Sequence, residues 1–270
     1  MKVTNIFDVY IIHYSILKNR YDSLSEKLST KLFNQFWITE NDVFTEKFFS
    51  VTSNSIMGVK TKLVGMDLGV NSRSLVFTRR RARVQGWILL LRSILQNKDS
   101  LIMGSMPKTI KLSASLLEVS CMHARAIRRG FNSNSEWILI LEDDAIPESH
   151  FYESIKWVYC KFDARKKIWI NLNSGAFLKH TKSDPRPDLM GFYRVKPALT
   201  RCSAAYMISK PLAREIIRQF DEYGIPDWLP VDIVMQVILR RSRALSFWQD
   251  PPAVIQGSES GAYDSNLRVN

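Results

Sequence analysis

Trp137-Ile-Leu-Ile-Leu141 runs straight into Glu142-Asp143-Asp144, and the reading of this stretch decides the fold. Five large apolar residues in a row predict a buried strand. The run ends in three adjacent carboxylates, and Pro147 stops its continuation. Three unpaired charges beside a core strand lose their hydration at high cost. A positive partner is therefore expected, and a divalent metal holding a phosphorylated substrate is the strongest candidate. A solvated acidic loop is the plainer alternative.

Outward from this stretch, strands and helices alternate. Toward the N-terminus, Val9 to Ile12 reads as a first buried strand. Leu17, Tyr21, Leu24 and Leu28 then recur at helical spacing, and Phe36 to Ile38 is a short second strand. Ser115 and Glu118 form a capping box for a helix that runs to Arg129, with Gly130 as its stop. Toward the C-terminus, a helix is expected from about Ser149 to Cys160, then a strand over Ile168 to Leu172 and a loop over Asn173 to Met190. Ala204 to Ile208 reads as a strand, with Ser209 capping a helix that holds Pro211 in its first turn. Pro230 precedes a helix from Val231 to Arg240, Leu245 to Trp248 is a late strand, and Pro251-Pro252 opens a tail that ends in a polar loop.

This alternation is the α/β pattern. It predicts a mixed, mostly parallel central sheet flanked by helices, with ligands beyond the carboxyl ends of the strands, where the acidic triplet sits. The glycine-rich signatures of dinucleotide and P-loop nucleotide sites are both missing from the sequence.

The chain has 270 residues, of which 46% are hydrophobic, so a sizeable core is expected and wholesale disorder is not. The longest apolar candidate, Trp87 to Leu91, is cut by Arg92 and is too short to span a membrane. Asp8, His13 and Lys18 interrupt any signal-peptide pattern at the N-terminus. Cys121, Cys160 and Cys202 are odd in number and widely spaced. They suggest neither a disulfide framework nor a zinc site, have no base-and-orienter arrangement for thiol catalysis, and fit a reducing compartment.

A net charge of +12 favours polyanionic partners: nucleic acid, an anionic lipid surface or phosphorylated substrates. The basic residues cluster at 79–83, 128–129, 165–167 and 240–243, mostly at expected helix ends, and no nucleic-acid module accompanies them. Residues 40–112 are the least legible part. Within them, Val84 to Leu95 reads as a core helix or as a segment lying on a membrane surface behind its basic flank. A cytoplasmic protein, loosely attached to the inner face of a membrane, is the expected setting.

In order along the chain, Tyr10-Ile-Ile-His-Tyr14 with Lys18 and Arg20, Trp37-Ile-Thr-Glu40, Leu112-Ser113 followed by Glu118 and His123, Leu141-Glu-Asp-Asp-Ala-Ile146, Ala205-Tyr-Met-Ile-Ser-Lys210, Leu229-Pro-Val-Asp232, and Pro251-Pro252 with Gln256-Gly-Ser258 and Gly261 resemble glycosyltransferase family 25, the lipopolysaccharide and oligosaccharide biosynthesis glycosyltransferases. Residues 41–111 depart from the family's pattern, as do several positions before His123. The resemblance implies a GT-A-like fold over residues 1–270, with a nucleotide-sugar-binding half (1–146) and an acceptor-binding half (147–270). It implies a UDP-sugar donor such as UDP-galactose, a glycan or lipid-linked oligosaccharide acceptor, and inversion at the anomeric carbon.

Glu142 and Asp144 match that fold's acidic-x-acidic motif. One would take Mn²⁺ or Mg²⁺ directly and the other would act through metal-bound water or the ribose. Asp143 is a supporting residue at the same site. Asp232, at an expected helix start, is either the general base for the acceptor hydroxyl or simply a carboxylate stabilised by the helix dipole; that dipole would keep it ionised but weaken it as a base.

His13 and Arg20 would contact the uracil or the diphosphate, and a surface role is the alternative for Arg20. His123 lies on an apolar helix face, as a hydrogen-bonded core or substrate-orienting residue. Gln256, Gly257 and Ser258 form a polar loop able to approach a diphosphate closely, or an ordinary tail turn. Two other functions stay open: a basic nucleic-acid-binding or metal-nuclease protein, and a catalytically inactive relative that binds sugar nucleotides.

Overall fold

The structure, a computed structural model, describes residues 7–28, 32–40, 114–173, 191–195, 200, 202–225 and 231–263. The expectations for residues 41–111, for the loop at 174–190 and for Pro230 fall outside these residues.

The described elements, in chain order, begin with β1 (Phe7–Ile12), α1 (Lys18–Lys27), β2 (Phe33–Ile38), α2 (Ala114–Asn132), β3 (Trp137–Glu142) and β4 (Ala145–Pro147). There follow α3 (Phe151–Lys161), β5 (Ile168–Asn171), β6 (Phe192–Val195), β7 (Ala205–Ser209) and α4 (Lys210–Tyr223). The series ends with α5 (Val231–Arg241), β8 (Leu245–Gln249), β9 (Val254–Gln256) and the short turn of helix α6 (Gly257–Ser260).

Seven strands form one sheet in the order β2-β1-β3-β7-β5-β8-β6. Strands β2, β1, β3, β5 and β8 run one way, while β7 and β6 run against them. The protein is thus α/β with a mixed, mostly parallel sheet. Strands β4 and β9 form a separate antiparallel ribbon.

Burial explains the unbroken apolar runs. Ile138 and Ile140 point into one core, with Met122 and Ile127 of α2, Leu212 and Ile216 of α4 and Val234 and Ile238 of α5. Trp137, Leu139 and Leu141 point into the other, with Leu24 of α1 and Phe151, Ile155 and Val158 of α3. The period of two thus serves two cores, so no polar face is left on β3. Among the described residues, no helix is long and apolar enough to cross a membrane.

Several local expectations are corrected. Gly130 does not end α2, which continues to Asn132. The end is made by Ser133, whose backbone N–H and hydroxyl both donate to the Gly130 carbonyl, at 3.2 and 2.8 Å. Gly130 serves packing instead, because a Cβ there would collide with the branched end of Ile138, 2.9 Å from its Cγ1. Gly130→Ala is therefore expected to cost about 1–3 kcal/mol, read as a lower denaturant midpoint with unchanged slope.

Ser115 already lies within α2, so it is not that helix's N-cap, and Glu118 accepts a hydrogen bond from the Tyr14 hydroxyl at 3.4 Å. Ser209 occupies the N-cap of α4 but makes no cap hydrogen bond. Its hydroxyl donates to the Lys166 carbonyl at 2.6 Å and accepts from the Ile168 N–H at 3.0 Å, which ties β7 to the start of β5. The expected tail after Pro251-Pro252 is strand β9, which turns the chain back onto β4.

Candidate functional site

The order β2-β1-β3 places a switch point between β1 and β3. The chain leaves β1 toward β2 on one side and returns through α2 to β3 on the other. Open α/β sheets bind ligands in the crevice beyond the carboxyl ends of the strands at such a point. Here that position lies beyond Ile12 and Glu142, paired across the two strands.

Asp143 follows Glu142 at this position and is buried. One of its oxygens, Oδ1, accepts from Arg20 Nη1 at 2.9 Å, and Oδ2 meets His13 Nδ1 at 3.1 Å and the Tyr14 N–H at 3.2 Å. All three side chains are buried. Arg20 is thus neither a surface residue nor directed outward; its guanidinium also lies 5.3 Å from the centre of the Tyr263 ring. Tyr263 donates to the Ser23 hydroxyl at 3.1 Å, so the end of the described chain is tied down on α1. His13 packs edge-on against Trp37, with ring centres 5.3 Å apart, and Trp37 lies against Tyr21 at 4.3 Å. His13, Arg20 and Asp143 are thus brought together at the acidic turn.

Glu142 and Asp144 share a different pattern. Glu142 Oε1 accepts from the Ser203 hydroxyl at 2.6 Å and pairs with His123 Nε2 at 3.2 Å, and among the described residues Oε2 has no partner. Asp144 Oδ2 accepts from the Ser258 hydroxyl at 2.6 Å and the Ser258 N–H at 3.3 Å, while Oδ1 is buried without a partner. Each carboxylate has one oxygen anchored by two donors, and the other without a hydrogen-bond partner among the described residues. An unpaired buried carboxylate oxygen is costly. Burial above all, then the negative charge of Glu142, pushes the Asp144 carboxyl up to about 6.

The loop after β9 delivers the second anchor. Gly257 donates its N–H to the Asp144 carbonyl at 2.8 Å, and a Cβ at 257 would strike the Tyr263 ring and lie 2.9 Å from that same carbonyl oxygen. Glycine permits this approach. Ser258 thus holds Asp144, and Gln256 Oε1 accepts from Cys202 Sγ at 3.3 Å.

Asp232 stands in the first turn of α5, whose backbone is held by the Thr200 hydroxyl donating to the Asp232 carbonyl at 3.1 Å. Its carboxyl is pushed up, not down. Burial outweighs the hydrogen bond from the Ile233 N–H, and the charge of Glu142 adds to the rise while His123 opposes it. The expected weakening by the helix N-terminus is therefore overruled by desolvation. The same pairings put Asp232, Glu142 and His123 within electrostatic reach of one another.

Ser203, Tyr263 and Thr200 escaped sequence reasoning, and Tyr206 appeared there only within a motif, with no role. Each lies far along the chain from its partner and carries no spacing signal. The one available hint was that Ser203 opens an apolar strand just as Glu142 closes one, and antiparallel pairing of the two brings these ends together.

Among the described residues, no group of three or more His, Cys, Asp or Glu side chains could hold a metal ion. The two oxygens without a partner are what this site offers to a cation. No family model matches the chain, and no match to it was found among curated proteins.

Proposed function

We propose that the protein is a GT-A-like inverting glycosyltransferase that moves a hexose from a UDP-sugar to a hydroxyl of a glycan or lipid-linked oligosaccharide, with Mn²⁺ or Mg²⁺ as cofactor. One observation carries this reading. At the switch point of the sheet, two carboxylates from one turn each keep one oxygen anchored and leave the other without a partner among the described residues, that of Asp144 being buried.

Two hard oxygens without a full ligand set suit a cation that completes its shell with substrate phosphates and water, as Mg²⁺ does. Glu142 and Asp144 would hold it. The chemistry it supplies is neutralisation of charge on the departing diphosphate. The sequence resemblance supports the donor class, and the mixed sheet with its acidic turn after β3 is compatible with the GT-A-like arrangement.

Asp232 takes the proton of the acceptor hydroxyl. The freed oxygen bonds to the anomeric carbon from the face opposite the diphosphate, and the bond from that carbon to the phosphate oxygen breaks with its electron pair leaving on UDP. A partly buried carboxyl with a raised pKa is a better base than an exposed one. Asp232→Asn is expected to slow transfer roughly 10²–10⁴-fold with UDP affinity kept, read from transfer rates beside a UDP titration. An unchanged rate would remove Asp232 from this role.

The reading as a whole is tested by UDP release from a panel of UDP-sugars with and without Mn²⁺, with oligonucleotide binding at two salt concentrations as the control. Oligonucleotide binding that falls steeply with salt, together with no UDP release from any sugar, would favour the nucleic-acid alternative.

A further inference from the structure

Glu142 can offer its free oxygen in one direction only if the carboxylate cannot rotate, and the structure contains a chain of groups that prevents rotation. His123 is fully buried at the middle of α2. Its Nε2 lies 3.2 Å from Glu142 Oε1, and its Nδ1 lies 2.9 Å from the hydroxyl of Tyr206 on β7. The Tyr206 ring is also fully buried, stacked on Trp169 at 4.2 Å between ring centres and on the His123 ring at 5.7 Å. Ser203, three residues before Tyr206, supplies the other donor to the same Oε1 at 2.6 Å.

The donors and acceptors along this chain have one consistent order. Glu142 only accepts, so Nε2 carries the proton and donates. In the neutral imidazole Nδ1 is then the acceptor and takes the Tyr206 hydroxyl proton. Tyr206 thereby selects the tautomer that can hold Glu142. The aromatic stack fixes the plane of the imidazole, and hydrogen bonds aligned in this way reinforce one another.

We infer that His123, with its tautomer set by Tyr206, and Ser203 are positioning residues that lock Oε1 of Glu142 and so leave Oε2 to meet a divalent cation that carries the nucleoside diphosphate and that Asp144 also holds. The inference rests on the glycosyltransferase reading. It adds to that reading the residues outside the acidic turn that determine affinity for the cation. Partners that orient a metal-ligating side chain in this way commonly contribute 10–100-fold to metal affinity.

The test is binding of Mn²⁺ in the presence of UDP, followed by the electron paramagnetic resonance signal of free Mn²⁺, with no turnover required. His123→Phe keeps a ring and removes both nitrogens; it is expected to weaken Mn²⁺ binding about 10-fold or more. His123→Gln keeps a donor near the Nε2 position and is expected to restore affinity to within about 3-fold of wild type, a rescue that a purely space-filling role would not produce. Tyr206→Phe removes one oxygen and almost no volume; it is expected to fall between the two, and it decides the question together with Ser203→Ala if His123→Phe does not fold.

Wild-type affinity in folded His123→Phe would overturn the inference, as would wild-type affinity in both Tyr206→Phe and Ser203→Ala, or a His123→Gln protein no better than His123→Phe. In each of those cases the wild-type protein still binds Mn²⁺ with UDP and Asp144→Asn still loses it, so the glycosyltransferase reading survives. A wild-type protein that binds neither removes both.

Discussion

Asp144→Asn should lose Mn²⁺-dependent turnover of UDP-sugars by roughly a thousandfold or more while becoming more stable to urea at neutral pH. The loss follows from the chemistry assigned to the site. Stabilising charge on a departing diphosphate is worth several kcal/mol, and each tenfold in rate corresponds to about 1.4 kcal/mol. The gain follows from burial. Among the described residues Asp144 Oδ1 has no hydrogen-bond partner, and the carboxyl is pushed up to about 6 from an ordinary value near 4.

The sign is set by linkage. A carboxyl that holds its proton more tightly in the folded chain lowers stability as pH rises through the window between the two values. From about pH 4 to about pH 6 the folded protein therefore loses stability on this account, and the full penalty, roughly 3 kcal/mol for a shift of that size, is present above pH 6. Asparagine keeps the acceptor for Ser258, turns an N–H toward the negative charge of Glu142, and has no such penalty. Urea midpoints of the two proteins should converge near pH 4 and separate above pH 6, with the variant the more stable. Undiminished turnover would end the proposed role of Asp144, and a variant less stable than wild type at pH 7 would contradict the account of its burial.

Asp143→Ala, one residue away, should do the reverse to stability. Its carboxylate takes three donors at once: the Arg20 guanidinium, the His13 ring and the Tyr14 N–H. Truncation removes the carboxylate that faces a buried guanidinium and strands two other donors. Breaking one partner of a buried ion pair typically costs about 3–5 kcal/mol. A lower urea midpoint and a lower Tm are expected, the latter by more than 10 °C if the cost reaches the upper end for a domain of this size. Arg20→Ala should cost less, because His13 and the Tyr14 N–H remain on Asp143. The contrast matters more than either value: neighbouring carboxylates in one turn move stability in opposite directions, since one is saturated with donors and the other is not. Equal effects of the two substitutions would show that the turn behaves as a solvated acidic loop.

Much of this was readable beforehand. The apolar run from Trp137 to Leu141 identifies the central strand because burial on both faces tolerates no polar residue, and the alternation of elements identifies the α/β class. The acidic turn at 142–144 stands out because charge at the end of such a strand demands a partner. Boundaries set by tertiary contacts were not readable. Gly130 resembles a helix stop, yet it is a point of close packing against Ile138. The residues after Pro252 resemble a tail, yet they pair with β4 and carry Ser258 to Asp144.

Taken alone, then, the amino-acid sequence determined the main strands and helices around the central run, though not the short strands β4, β6 and β9, and that three carboxylates gather after the central strand, because those properties depend on local periodicity and on the cost of burying charge. The division of labour among the three carboxylates was decided only by the tertiary structure. Whether a carboxylate is saturated, half-anchored or left exposed to a ligand depends on donors such as Arg20, Ser203 and Ser258. These arrive from more than 60 residues away, and no local pattern in a chain encodes contacts across that distance.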